Sequence, residues 1–279
     1  MDRWEWITPD GIVVPLDKDP IYLHPEISGY LMPPFKRSER WLGSVGTLTG
    51  LRVDARDVFL PLTVKADNLM DALRLIARYF NPQDGIGRLR VTIGSTVREL
   101  ACQYVGGLDG DGHDNGPGWQ RIGLRLRALQ PYWQADVPKN FVFVMDAPMT
   151  FFQYPFFPLH ISRGTINGSV IVFNSGDVPT YPIITANGKF TSLQVSNLNT
   201  GKTLAFPTLS MVDGDNLVID TRPSALSVRL NGNNAFGLLS AASSLWSIKS
   251  GQNHLQIITT GTNSNSVVRI SFTEQFLTV

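Results

Sequence analysis

The sequence predicts a mainly β protein of two domains, an α+β first domain with one main helix and then a β-sandwich. Three observations carry that expectation. One stretch alone, 67–80, holds a helical period of useful length. Elsewhere apolar residues alternate with a period of two, as half-buried strands do. Charge is also uneven: residues 1–133 hold 16 of the 24 Lys and Arg and 16 of the 23 Asp and Glu, whereas the second half spends its polar positions on Ser, Thr, Asn and Gly. A chain of 279 residues suffices for two ordinary cores, placed at 1–135 and 136–279 with the boundary between 131 and 165.

In "DNLMDALRLIARYF" (67–80) Leu69, Leu73, Ile76 and Phe80 form one apolar stripe, with Asp71, Arg74 and Arg78 off it. Asp67 suits the N-cap, and Pro82 disfavours helical geometry at Asn81. Around the helix, Val58, Leu60, Leu62 and Val64 share one strand face, Leu89, Val91 and Ile93 a second, and Ile122, Leu124, Leu126 and Ala128 a third. Pro61 removes a ladder donor, which puts the first of these strands at a sheet edge or a bulge.

The run "FVFVMDAPMTFFQYPFFPLHI" (141–161) is apolar and aromatic, yet Asp146 and the prolines at 148, 155 and 158 break it. It falls short of the roughly 20 continuous apolar residues a span requires, so it reads as a buried or interface-covering connector. Beyond it, turn signals at 187–188, 199–201, 213–214, 231–234, 250–251 and 261–263 separate short β-rich runs.

The sandwich entrance is written in "FNSGDVPTYPIITANG" (173–188). Gly176 and Asp177 make a turn, Pro179 holds the chain extended, and Pro182 fits only where its missing N–H is not needed. Pro182 also biases Tyr181 towards extended backbone. Ile183 and Ile184 then enter the sheet towards a hairpin at Asn187-Gly188.

Chemistry is harder to find. The net charge of +1 gives no global field for nucleic acid or an anionic membrane. The N-terminus has no basic start followed by an apolar core, and the lone Cys102 excludes an internal disulfide framework, so folding in an intracellular compartment is expected. The loop "GLDGDGHDNGPG" (107–118) offers Asp109, Asp111 and Asp114 to a cation, but the EF-hand spacing would need Gly at Asp114 and Glu at Gln120, which favours a solvated hairpin loop. His24, His113, His160 and His254 are scattered, and no nucleophile elbow or phosphate loop occurs. No catalytic, cofactor-binding or metal residue is therefore expected. Cys102 reads as a small buried residue, and the Asn167-Gly168-Ser169 acceptor triplet as chance.

Arg88, Arg90, Arg125 and Arg127 lie opposite the apolar faces of their strands and form a basic stripe if those strands are neighbours. That stripe is either a solvated sheet face or a subunit interface suited to bidentate pairing with carboxylates. Trp246, Tyr181 and Phe236 are possible sugar-stacking platforms, although core packing is the commoner use of sandwich aromatics. Asp213, Asp215 and Asp220 lie in or beside one turn-like segment, which does not make the carboxylate pair across a cleft that glycoside hydrolysis needs.

The succession "GDVPTYPIITANG", "LQVSNLNTGKTLAF", "GDNLVIDT", "VRLNGNNAF" and "LWSIKSGQNHLQI" resembles the C-terminal half of distal tail proteins of long-tailed, non-contractile (siphovirus-like) bacteriophages. "PPFKRSERWLGSVGTLTG", "RDVFLPLTV", the 67–80 helix, "NPQDGIGRLRV" and "LQPYW" are similar to that family's N-terminal domain. The resemblance implies an N-terminal ring-forming domain, a peripheral galectin-like sandwich and a six-membered ring at the far end of the tail tube. It implies a hub and not an enzyme, without cofactors. Its partners would be the tail tube protein, a tail-tip or tail-associated hub protein, the tape measure and receptor-binding proteins. Neither sequence-specific nucleic-acid binding nor membrane insertion is implied. The protein would be made in the host bacterial cytoplasm and reside in the virion, at the tail tip. Some relatives carry inserted carbohydrate-binding modules, for which neither half has room. A module that itself recognises host-surface glycans is the alternative reading.

Overall fold

The structure, a computed structural model, describes residues 2–108, 115–144, 161–162 and 165–279. The chain divides into two compact units, Met1–Asp136 with Phe276–Val279, and Val137–Gln275. The sequence reading placed 276–279 with the second domain, whereas these residues count with the first. Phe276 and Val279 pack against the first core, and the Leu277 carbonyl accepts a hydrogen bond from Arg56 Nη2 at 2.7 Å.

The first unit opens with β1 (Arg3–Ile7), β2 (Val13–Pro15), β3 (Asp17–Lys18) and β4 (Ile21–Leu23). The hairpin β5 (Phe35–Leu42) and β6 (Val45–Val53) follows, and then β7 (Arg56–Lys65) and α1 (Leu69–Tyr79). The unit ends with β8 (Gly87–Ile93), β9 (Thr96–Gly106), β10 (Asn115–Gly116), β11 (Trp119–Ala128) and β12 (Trp133–Ala135). The main sheet runs β2-β1-β8-β9-β11-β7-β4-β3, antiparallel throughout, with β10 on β11 and β12 on β9. Its inward residues are those the alternation selects: Val58, Leu60, Leu62 and Val64 of β7, and Ile122, Leu124, Leu126 and Ala128 of β11, are all buried. Ile93, expected on the inward face of β8, is instead exposed where that strand turns into β9.

Helix α1 starts one residue later than its expected cap. Asn68 is the N-cap and accepts from the Asp71 N–H, so the assignment to Asp67 is corrected. Ile76 and Phe80 are buried, while Leu69 and Leu73 lie half-buried against the same core. Trp6 of β1 stacks on Phe80 with ring centroids 4.9 Å apart, and its indole N–H donates to the Tyr79 carbonyl at 2.8 Å. A Cβ on Gly87 would stand 2.3 Å from that indole, so only glycine lets β8 start there.

Pro61 lies in an interior strand, paired with β11 on one side. Its nitrogen faces the other side, where Phe59 exchanges hydrogen bonds with Ser28 and the Pro61 carbonyl accepts from His24. β4 has already ended at Leu23, and residues 24–27 loop away before Ser28 rejoins. The ladder is interrupted where proline lacks its donor.

The second unit contains β13 (Lys139–Val144), β14 (Ile161–Ser162), β15 (Thr165–Asn174), β16 (Ile183–Asn187), β17 (Ser192–Asn197) and β18 (Lys202–Phe206). It continues with β19 (Asn216–Asp220), β20 (Ser227–Leu230), β21 (Asn233–Asn234), β22 (Gly251–Thr260) and β23 (Val267–Phe272). Two antiparallel sheets, β13-β23-β16-β19-β20-β21 and β14-β15-β22-β17-β18, share one core, which makes the sandwich. Phe143, Ile184, Ile219 and Ile270 come to that core from the first sheet, and Val172, Val195, Leu204 and Ile257 from the second. The expected hairpin at Asn187-Gly188 is a crossover: β16 pairs with β19 and β23, and β17 lies in the opposite sheet. Gly188, with φ of 99°, packs where a Cβ would meet the Asn265 carbonyl at 2.7 Å. The turns at 199–201 and 231–232 do close hairpins, β17 with β18 and β20 with β21.

Candidate functional site

Three surfaces bear on function: the arginine face, the sandwich entrance and the hairpin. The first is built by β1, β8, β9 and β11. β8 and β11 are not neighbours, since β9 lies between them. The arginines therefore fall into two pairs. On β8, Arg90 donates through Nε and Nη2 to Glu99 Oε1 at 2.9 and 2.6 Å and lies 3.8 Å from Glu5, while Arg88 lies 3.4 Å from Glu99. Register explains this, because Arg90 stands opposite both Glu5 and Glu99. Those carboxylates are 5% and 9% exposed, so the arginines neutralise buried charge. On β11, Arg127 makes a bidentate pair with Asp57 at 2.7 and 2.9 Å, which also raises the guanidinium pKa. Arg125 alone of the four is exposed without an ion pair among the described residues.

At the sandwich entrance, Asp177 and Pro179 are exposed, Tyr181 is half-buried and Pro182 is buried. Pro179 sits between two bridges, Val178 to Gln275 and Thr180 to Ile248, where no ladder donor is needed. The Pro182 carbonyl accepts from the Thr221 hydroxyl at 2.6 Å. The residue that organises the segment is Asn174, fully buried at the end of β15. Its amide donates to the carbonyls of Val178 and Ile248, each at 3.2 Å, and its oxygen accepts from the Gly176 N–H at 2.9 Å. Sequence reasoning missed Asn174; an amide next to a Ser-Gly turn is the one hint it offers.

The third surface is the β5–β6 hairpin, a two-stranded sheet of its own. Gly43, with φ of 61°, supplies the first central residue of its two-residue turn. All of β5 is exposed, and Trp41 keeps 65% of its surface in water. Phe35, Trp41, Leu48 and Leu51, with Met32, line a groove of about 810 Å³ that Arg37 and Glu39 edge. Lys36 and Arg52 instead pair with Asp54, at 2.7 and 3.6 Å, and the Lys36 hydrogen bond holds the Asp54 carboxyl below its ordinary pKa. The alternation in β5 is hidden in the sequence by charges on the apolar face, and a bulge after Ser38 shifts the register of β6.

Other expectations resolve plainly. Asp109, Asp111, His113 and Asp114, most of the 141–161 connector and His160 lie outside the described residues. Among the described residues no three His, Cys, Asp or Glu side chains gather as a metal site. No helix there is long and apolar enough to cross a membrane. Cys102 is buried, and burial pushes its thiol up to about 12. Trp246 is 2% exposed and belongs to the core, so it cannot be a sugar platform. Phe236 is 41% exposed. Asp220 is held by Arg222 through four hydrogen bonds of 2.6 to 3.1 Å.

Residues 175–276 match the family described as siphovirus-type tail component, C-terminal domain. Comparison with solved structures finds the Dit protein of phage SPP1, "a Paradigm of Hub Adsorption Apparatus in Gram-positive Infecting Phages", with a TM-score of 0.70 and 16% identity, covering 99% of both chains. Chains of the phage P2 baseplate, in its activated conformation with calcium or with strontium, are similar at a TM-score of 0.58 and 9% identity over the full length of both. Comparison with curated proteins by sequence finds no match. The resemblance read from the sequence is thus met by a tail-component family across most of the second unit and by the distal-tail fold over nearly the whole chain. Both findings are to structural parts of phage tails, not to enzymes.

Proposed function

We propose that this chain, which has the distal-tail fold, is the hub of a siphovirus-like phage tail tip: a cyclic oligomer of six copies, joined through the first unit. In this reading the ring links the tail tube protein above to the tip, baseplate and adhesion proteins below, and the second unit is a galectin-like sandwich at its periphery that folds by itself. The observation that carries it is the likeness to the SPP1 Dit fold over 99% of both chains. Arg125 remains available for a subunit contact, whereas Arg88, Arg90 and Arg127 already satisfy carboxylates of their own chain.

Light scattering of the purified protein, followed by averaging of ring images, tests the copy number. A chain that stays monomeric at high concentration and in assembled tails overturns the ring. Limited proteolysis tests the separate folding of the sandwich: cleavage spread evenly, with no surviving C-terminal core, counts against it. One observation favours the glycan reading, namely exposed Phe236 beside a cleft of about 420 Å³ lined by Asn231, Asn233 and Asn234. A glycan array on the isolated protein decides that question.

A further inference from the structure

We infer that residues 273–279 form a relay through which the sandwich entrance biases the seating of a short strap, 276–279, on the first unit. The inference rests on neither the ring nor the glycan reading. The segment is gripped on both sides of the peptide bond at which the chain leaves the second unit. On the near side the entrance holds three successive residues. The Thr180 hydroxyl donates to the Thr273 carbonyl at 2.6 Å, Glu274 pairs with Lys139 at 2.6 Å and accepts from the Ser175 N–H, and the Gln275 carbonyl accepts from the Asp177 N–H at 2.9 Å. Buried Asn174 fixes the entrance in turn through Gly176 and Val178. Gly176 passes so close that a Cβ there would stand 2.4 Å from the Gln275 carbonyl oxygen.

The grip in the first unit begins at the next residue. Strand β24 (Gln275–Phe276) pairs with β12, and the guanidinium carbon of Arg98 lies 3.5 Å from the Phe276 ring centroid. Phe276 and Val279 pack against the first core. The Leu277 carbonyl gives Arg56 its shortest hydrogen bond, 2.7 Å against 3.0 Å to Tyr30 and 3.4 Å to Gly29. Arg56 is 1% exposed and its Nε has no partner among the described residues, so losing Leu277 leaves a buried charge short of acceptors. Residues 276–279 are themselves only half-buried, which makes the strap the shallow part of this core and the first to leave it.

The gripped residues adjoin at 275 and 276, with no free residue between them to take up slack. Consecutive Cα atoms stay about 3.8 Å apart whatever the backbone angles, so a pull on Gln275 moves Phe276. The strap then has two arrangements, seated and withdrawn, and both grips bias the balance between them, which is what coupling between two sites requires. A load on the sandwich entrance reaches β12 and the Arg56 site. By reciprocity, loss of the seat loosens the entrance.

The test is hydrogen exchange of the full chain, read by mass spectrometry in peptides covering 131–136, 175–180 and 276–279. Gly176→Ala displaces Gln275 and should speed exchange severalfold in 131–136 and 276–279. Phe276→Ser, which unseats the strap, should do the same in 175–180. Val195→Ala truncates a buried side chain opposite Leu204 and Ile257, away from the entrance, and is the control for lost stability. It should leave 131–136 and 276–279 at their wild-type rates. If Gly176→Ala shows no thermal transition, Glu274→Gln, which releases Lys139, takes its place. Wild-type rates in 131–136 and 276–279 with either entrance variant overturn the relay, as do wild-type rates in 175–180 with Phe276→Ser. Equal acceleration by Val195→Ala also overturns it, because the effect is then one of global stability.

Discussion

The two units bury polar atoms in different ways. In the sandwich the buried polar residues are mostly amides and hydroxyls, Asn174, Asn197, Asn253, Thr259 and Ser266 among them, each hydrogen-bonded to backbone. Whole charges are buried in both units, Glu5, Glu99 and Arg56 in the first and Asp220 and Glu274 in the second, where Arg222 and Lys139 pair with them. Among the described residues Arg56 has no carboxylate partner. It donates to the carbonyls of Tyr30 and Leu277 at 3.0 and 2.7 Å, its guanidinium carbon lies 5.9 Å from the Trp133 ring, and burial lowers its pKa to about 10. Neutral amides stitch the sandwich, since their desolvation is met by local carbonyls. Buried charges cost more to hold and tie strands into one register, as Arg90 ties β1 and β9 to β8. The first unit is also the one that leaves an apolar hairpin in water.

The largest effect that would sharpen this contrast is expected at Asn174. Asn174→Ala strands the Val178 carbonyl and the Gly176 N–H in the sandwich core, while the Ile248 carbonyl keeps the Thr180 N–H, and urea unfolding should show a loss of about 2 to 3 kcal/mol. A loss below 1 kcal/mol would mean that the entrance is held by its prolines instead. In the first unit, Glu99→Gln removes the charge that Arg90 and Arg88 share. With Arg90 partly solvated the expected loss is about 1 to 2 kcal/mol, and it should shrink in high salt.

The sandwich has one ion pair whose pH dependence can be read. Burial would raise the pKa of Asp220, but hydrogen bonds and charge from Arg222 outweigh burial and lower it. A depressed folded pKa contributes stability that is fully present above the unfolded value of about 4 and is lost as pH falls through the folded value. Wild-type protein should therefore lose this contribution on acidification below about pH 4, and Asp220→Asn should lack that component of the acid slope. An identical slope in both would assign acid sensitivity elsewhere. The smallest effect belongs to Pro179→Ala, at about 0.4 to 1 kcal/mol from unfolded-chain entropy alone. Buried Pro182→Ala should exceed it in a thermal melt; equal effects would remove any packing role for Pro182.

Much of the fold was legible because it rests on local periodicity. The stripe of α1 and the alternation in β7 and β11 are visible in single segments, and their burial follows. What escaped depends on distant partners. Gly188 looks like a hairpin turn until β17 is found in the other sheet, and Arg90 looks free until register places Glu5 and Glu99 beside it. Pro61 reads as an edge marker, though the interruption it marks lies in a neighbouring strand. The hairpin's groove was hidden because Arg37 and Glu39 share its apolar face.

The return of residues 276–279 to the first unit sets a timetable. Arg56 waits for a carbonyl made some 220 positions later, as the sequence separation of 221 between Arg56 and Leu277 requires. During synthesis the first unit lacks Phe276 and Val279 from its core until the second unit has been made. A ribosome that stalls anywhere in the second unit therefore releases a chain whose first unit is unfinished. If that unit builds the ring, a chain cut short before residue 276 enters assembly without the carbonyl that Arg56 uses and without Phe276 and Val279 against its first core.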